Sequence, residues 1–232
     1  MNKKTNERRS AILPTLGLVL SSLLLSIAPW ATAEESPAAQ DLTFDNLVPV
    51  KDPKMALAFI DPDADFSVFK RVAILEPTVS FRSNWQRDQN RSRSRNISAR
   101  DMDRIRADVA TLFERVFTER LEAAGYEVVD VAGDDVLVLR PAIIDLDVSA
   151  PDTRTAGRTR TVTTSTGAAT LYIQLFDSLS GDIIGRAADR QVARNAGGRM
   201  TWSNSVTNTA DARRMVGRWA DRLVEFLQSH YK

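Results

Sequence analysis

The chain has 232 residues, with 31 Lys and Arg against 30 Asp and Glu, a formal net charge of +1, one histidine and no cysteine. The absence of cysteine excludes disulfides, thiolate metal sites and cysteine nucleophiles. The near-balanced charge argues against the basic domain of a nucleic-acid binder.

Lys3, Lys4, Arg8 and Arg9 form a basic head, followed by an apolar run from Ile12 to Ala28 and then Pro29-Trp30-Ala31-Thr32-Ala33. Basic head, apolar run and small-x-small site are the order of a cleavable secretory signal, with the cut expected after Ala33. An uncleaved anchor in the inner membrane is the alternative, because the run is near spanning length. Lipid acylation is excluded for want of a cysteine. Cleavage would leave about 199 residues and remove four basic and one acidic side chain, for a net charge of −2. Residues 34–54 are rich in Ala, Ser, Pro and acids and read as a flexible leader. Residues 55–232 are expected to form a single domain, with no further transmembrane segment and an oligomeric state that composition does not determine.

Asp61-Pro62-Asp63 marks a turn, with Phe66 and Phe69 as anchors into a strand over Arg71–Phe81. Pro77 points to an edge or a bulge in that strand. Arg82–Asn96 is polar, lacks a period and reads as a loop. Ser98 is an N-cap, with Asp101 near the positive helix end. Met102, Ile105, Val109, Leu112, Phe113, Val116 and Leu121 then form one apolar stripe on a long helix closed by Gly125.

A short strand from Tyr126 and a turn at Gly133-Asp134-Asp135 precede a longer strand through Val148. Simple alternation there puts Ile144, Leu146 and Val148 on one face and Ile143, Asp145 and Asp147 on the other. Residues 151–167 read as a loop. Ala168–Phe176 and Ile183–Val192 form a hairpin across Asp-Ser-Leu-Ser-Gly-Asp, where Gly181 is free to take a positive φ. Residues 194–206 form a polar loop holding Trp202. The last helix, capped by Asn208 or Thr209, carries Ala212, Met215, Val216, Trp219, Leu223, Phe226 and Leu227 on its apolar face. The expected fold is therefore α+β, a mostly antiparallel sheet of about five strands with two amphipathic helices on one face.

Three stretches together, "DPDADFSVFKRVAI", "GAATLYIQLFDSLSGDII" and "DARRMVGRWADRLVEFL", resemble the bacterial domain-of-unknown-function 3313 family. The resemblance spans residues 55–228 and implies an envelope protein. Many members are lipoproteins, an attachment this cysteine-free chain lacks. It transfers no catalytic residue.

Motif by motif, little chemistry is offered. No phosphate-binding or dinucleotide glycine loop is present, and no cofactor is called for. His230 stands too near the C-terminus to read as a catalytic or metal-binding group. Asp61, Asp63 and Asp65 mimic a calcium loop, but Phe66 and Val72 stand where glycine and glutamate are needed. Asp145 and Asp147 are weak candidates for a metal or a shared proton, with Glu76 or Asp189 needed to complete a site. Arg82, Arg87, Arg91, Arg93, Arg95 and Arg100 surround one acid, Asp88. That cluster suits an anion, and outside the cytoplasm the available anions are envelope components or an acidic protein rather than nucleic acid. Trp202 in its glycine-rich loop is a candidate contact residue. Three functions follow: a non-enzymatic binding or accessory component of an envelope assembly, a carboxylate-based hydrolase or metal enzyme, and a small-molecule carrier.

Overall fold

A computed structural model describes residues 46–51, 53–91, 96–148, 162–163, 165–194, 201–202 and 205–229. All belong to the compact unit Ala39–Lys232. The strands are β1 (Val48–Pro49), β2 (Leu57–Ile60), β3 (Arg71–Ile74), β4 (Thr78–Phe81), β5 (Glu127–Val129), β6 (Val136–Val148), β7 (Val162–Thr163), β8 (Ser165–Asp177), β9 (Ile183–Arg194) and β10 (Thr201–Trp202). The helices are α1 (Trp85–Arg91), α2 (Ala99–Ala123) and α3 (Ser205–Ser229).

The main sheet has eight strands, in the order β1-β2-β9-β8-β6-β3-β5, with β4 also paired to β6. It is mixed rather than mostly antiparallel: β3 runs parallel to both β5 and β6, and β4 parallel to β6. The cause is α2, a crossover that returns the chain to the end from which β3 started, as parallel pairing requires. Three helices and eight strands thus replace the expected two and five. β1 and the buried Leu47 lie within the stretch expected to be a leader.

The parallel register is pinned where β3 begins. Lys70 N and Arg71 N donate to Asp135 O at 2.9 and 3.0 Å. Arg71 Nε donates to Asp135 Oδ1 at 2.8 Å. That hydrogen bond from Arg71 holds the Asp135 carboxyl below its usual value of 3.8, and the Arg82 guanidinium does the same for Asp88. Both folded values are depressed, so the stabilisation they carry is full above pH 3.8 and is lost as pH falls through the lower, folded values. Urea midpoints should therefore drop on acidification below pH 3.8, and the drop should be shallower in a chain carrying Asp88→Asn and Asp135→Asn.

Helix α2 starts where the sequence places it. Ser98 accepts from Asp101 N at 3.2 Å, and Asp101 returns the contact by accepting from Ser98 N at 3.0 Å, closing a capping box. The helix ends in paired bonds from Tyr126 N to Leu121 O and from Gly125 N to Glu122 O, both 3.0 Å. Those bonds need the left-handed backbone that Gly125 supplies at φ 92°. Ser98→Ala should lower stability by about 1 kcal/mol, read from the urea midpoint.

Both apolar stripes are buried as expected. Phe113, Val116 and Leu121 of α2 meet Met215, Val216 and Trp219 of α3 in one core with Leu137, Leu139, Leu171 and Ile173 of the sheet. Phe117 joins them, stacked on Phe113 at 3.9 Å between ring centroids. α3 begins at Ser205 rather than at Asn208 or Thr209. β7 and β10 pair within the two stretches expected to be loops. Among the described residues no helix is long and apolar enough to cross a membrane.

Candidate functional site

The arginine-rich stretch does not begin as a loop. Trp85, absent from the sequence reading, turns its first part into α1. Its indole is buried, stacks on Phe81 at 4.2 Å and donates from Nε1 to Val148 O at 2.8 Å. Asn90 Oδ1 accepts from Ile97 N at 2.7 Å, and Gln86 Nε2 donates to Ile97 O at 2.8 Å. The polar residues of this segment are therefore partly spent on its own backbone. Arg82 bridges Asp88 at 2.8 Å and Asp147 at 2.9 Å. Arg87 and Arg91 project into solvent, each 3.9 Å from Asp88 Oδ1. Arg93 and Arg95 lie outside the described residues.

The simple alternation that set Asp145 and Asp147 side by side is broken. A β-bulge interrupts the β6–β8 register between Ile144 and Asp147, and Asp145 adopts φ 52°. The extra residue turns Ile143 and Leu146 both into the core and leaves Asp145 exposed. Simple alternation assigned those two apolar residues to opposite faces. Asp147 is engaged by Arg82. No group of three or more His, Asp or Glu able to hold a metal occurs among the described residues. Asp61 and Asp65 serve as turn acceptors, for Asp63 N and Ser67 N at 2.9 Å each. Trp202 sits in β10 opposite Val162.

Asp189 is the acid that the fold singles out. It is 7% exposed, on the side of β9 that faces α3. Its Oδ2 accepts from Trp219 Nε1 at 2.9 Å, Arg222 at 2.5 Å and Gln191 Nε2 at 3.1 Å, and its Oδ1 accepts from Ala56 N at 3.2 Å. Gln191 Oε1 in turn accepts from Arg218 Nε at 2.5 Å. A carboxylate with four donors around it is satisfied, and it locks α3 to β9 and to the chain entering β2. The signal was present in α3: Arg218 and Arg222 flank Trp219 at a spacing of four, so two cations border the apolar stripe.

Beside this network α3 and the sheet edge enclose an apolar groove of about 240 Å³. Ala58 and Ile60 of β2, Ile173 and Leu175 of β8, and Trp219, Leu223 and Phe226 of α3 line it, with Lys51 and Lys54 from the segment before β2.

The opposite face of the sheet lies away from both helices. Register places Arg140, Gln174, Arg186 and Phe59 in one row across β6, β8, β9 and β2, and Ala142, Tyr172, Ala188 and Leu57 in the next. Ile144, Thr170 and Arg190 form a third. No acid stands in these rows. Leu57 is 58% exposed, and Ile144 is exposed as well. The row beyond joins Asp147, Ala168 and exposed Val192, and its one acid is paired with Arg82. Arg190 donates to Thr170 Oγ1 at 3.4 Å. This outer face is both cationic and apolar.

No curated protein matches the chain. Among solved structures it is similar to a DUF330 protein from Xanthomonas campestris, at 10% identity and a TM-score of 0.39, covering 76% of this chain and 90% of that one. PelC from Paraburkholderia phytofirmans, described as a dodecamer, is similar at 10% identity and a TM-score of 0.35, over 69% of this chain and 95% of that one. A minor lipoprotein from Acinetobacter baumannii is similar at 9% identity and a TM-score of 0.33, over 70% and 94%. The family model described as "Protein of unknown function (DUF3313)" matches residues 34–223, most of the chain, and the protein belongs to that family.

Proposed function

We propose that this protein is exported and acts in the cell envelope by binding, as a non-enzymatic accessory component of an envelope assembly. The observation that carries this reading is the outer sheet face, where Arg140, Arg186 and Arg190 stand among Tyr172, Phe59 and exposed Leu57 with no acid in their rows. A surface of that kind suits an anionic partner with apolar parts, such as an acidic protein or an anionic envelope component. The N-terminal order of basic head, apolar run and Ala31-Thr32-Ala33 supports export to the periplasm with cleavage after Ala33.

Co-sedimentation of the tagged mature protein with washed envelope fractions tests the reading. Arg140→Glu with Arg190→Glu should weaken association about tenfold and reduce its salt dependence. Arg115→Glu, on the exposed side of α2, should leave it unchanged. Serine at Arg91, Arg93 and Arg95 should have a minor effect. Loss in that variant alone would move the contact to the arginine stretch and sink the sheet-face reading.

A further inference from the structure

The groove beside α3 lies on the helix side of the sheet, away from the proposed contact face, and calls for a different occupant. Its depth has a clear cause in the sequence. Ala58 of β2 pairs with Ala187 of β9, and Ile60 pairs with Gly185. Small side chains side by side on the neighbouring strands β2 and β9 leave a hollow that the larger residues of α3 span without filling. Gly185 cannot be enlarged freely, since a Cβ there would meet Leu175 Cδ1 at 3.0 Å. An apolar hollow of this kind gains nothing from water and is a receptor for apolar groups.

Charge identifies the rest of the ligand. Three cationic side chains on this side of the sheet border it, Lys51, Lys54 and Arg222, with one anionic, Glu225. Glu225 is matched by Lys54 at 3.3 Å and Arg222 by Asp189. Lys51 has no carboxylate partner among the described residues. Among the described residues the groove therefore keeps one unmatched positive charge, Lys51, beside an apolar interior. Its volume of about 240 Å³ is below the range of sites for drug-sized ligands, so it has room for one narrow chain.

We propose that this groove binds a single-chain anionic amphiphile, an alkyl or acyl chain with a carboxylate or phosphate head. The chain lies between α3 and the Ala58–Ala187 pair, and the head meets Lys51 and Lys54.

Calorimetric titration of the mature protein with octanoate, decanoate, decyl phosphate and decyl maltoside, each below its micellar concentration, tests this. Decanoate should bind at one site, with affinity rising about fourfold per methylene from the eight-carbon acid. Comparing decanoate with decyl phosphate tells a carboxylate from a phosphate source. Decyl maltoside should bind at least about tenfold more weakly than either anion, because it offers Lys51 no counter-charge. Ala187→Leu should abolish binding by filling the hollow. Should that variant fail to fold, Lys51→Glu with Lys54→Glu keeps the test intact, since both side chains are exposed. That pair should weaken decanoate about tenfold while leaving the thermal midpoint in place. Absence of saturable binding, affinity independent of chain length, or equal binding of the maltoside would each overturn the proposal. So would a doubled mass in light scattering that Ala187→Leu returns to one chain, which would assign the groove to a second copy.

Discussion

Asp189→Ala is expected to destabilise the protein by about 2–4 kcal/mol. The carboxylate is almost fully withdrawn from water and receives Trp219, Arg222, Gln191 and Ala56 N. Removing it strands the indole N–H and leaves a guanidinium near the core without its counter-charge. Breaking a buried ion pair from one side costs about 3–5 kcal/mol. The Arg222 side chain is 33% exposed, so water recovers part of that cost. The thermal midpoint should fall by about 5–15 °C. Arg222→Met is the informative companion. It removes the cation but leaves Asp189 with three donors, so its loss should be smaller. A loss under about 1 kcal/mol for Asp189→Ala would mean that the network is not what holds α3 against β9.

Trp85→Ala should cost about 3–5 kcal/mol, the range for removing a buried tryptophan, and its effect should be concentrated locally. The indole is 1% exposed and packs with Ile97, Phe81 and Met102 in a small cluster separate from the main core. Its loss also leaves Val148 O without the Nε1 donor. Hydrogen exchange should report early opening of residues 82–91 together with the end of β6, while α2 and α3 keep their protection. Uniform loss of protection would instead show that α1 unfolds only with the whole domain. The arginines ride on this anchor, so the same variant tests whether their placement matters. If Arg87 and Arg91 act through a fixed position, envelope association should weaken in Trp85→Ala. If they are only a solvated surface, association should persist.

The comparison of sequence with structure divides along range. Elements built from neighbours in the chain were legible. The stripes of α2 and α3, the Ser98 cap, the Gly125 terminus and the Gly181 turn between β8 and β9 each follow from spacing and from the conformations that glycine, serine and aspartate allow. The family resemblance was legible for the same reason, since its three motifs are local runs. What failed was decided at a distance. The split of Arg71–Phe81 into β3 and β4, and their parallel pairing to β6, depend on where α2 returns the chain. The bulge at Asp145 inverted the faces assigned to the end of β6, because one extra residue shifts a period of two. Trp85 in a polar stretch was a signal overlooked: an isolated indole among arginines needs a core to enter.

By itself the sequence determined the α+β class, the two long amphipathic helices, the β8–β9 hairpin and the absence of cysteine chemistry, because periodicity, capping and composition are local properties. Tertiary structure alone decided that Asp189 is buried while Asp145 and Asp147 are not, and that the outer sheet face gathers arginines from two strands. It also decided that the Ala58–Ala187 and Ile60–Gly185 pairs together open a groove. Each of these rests on residues more than forty positions apart in at least one pairing, brought together by strand register and helix packing, which no window of sequence contains.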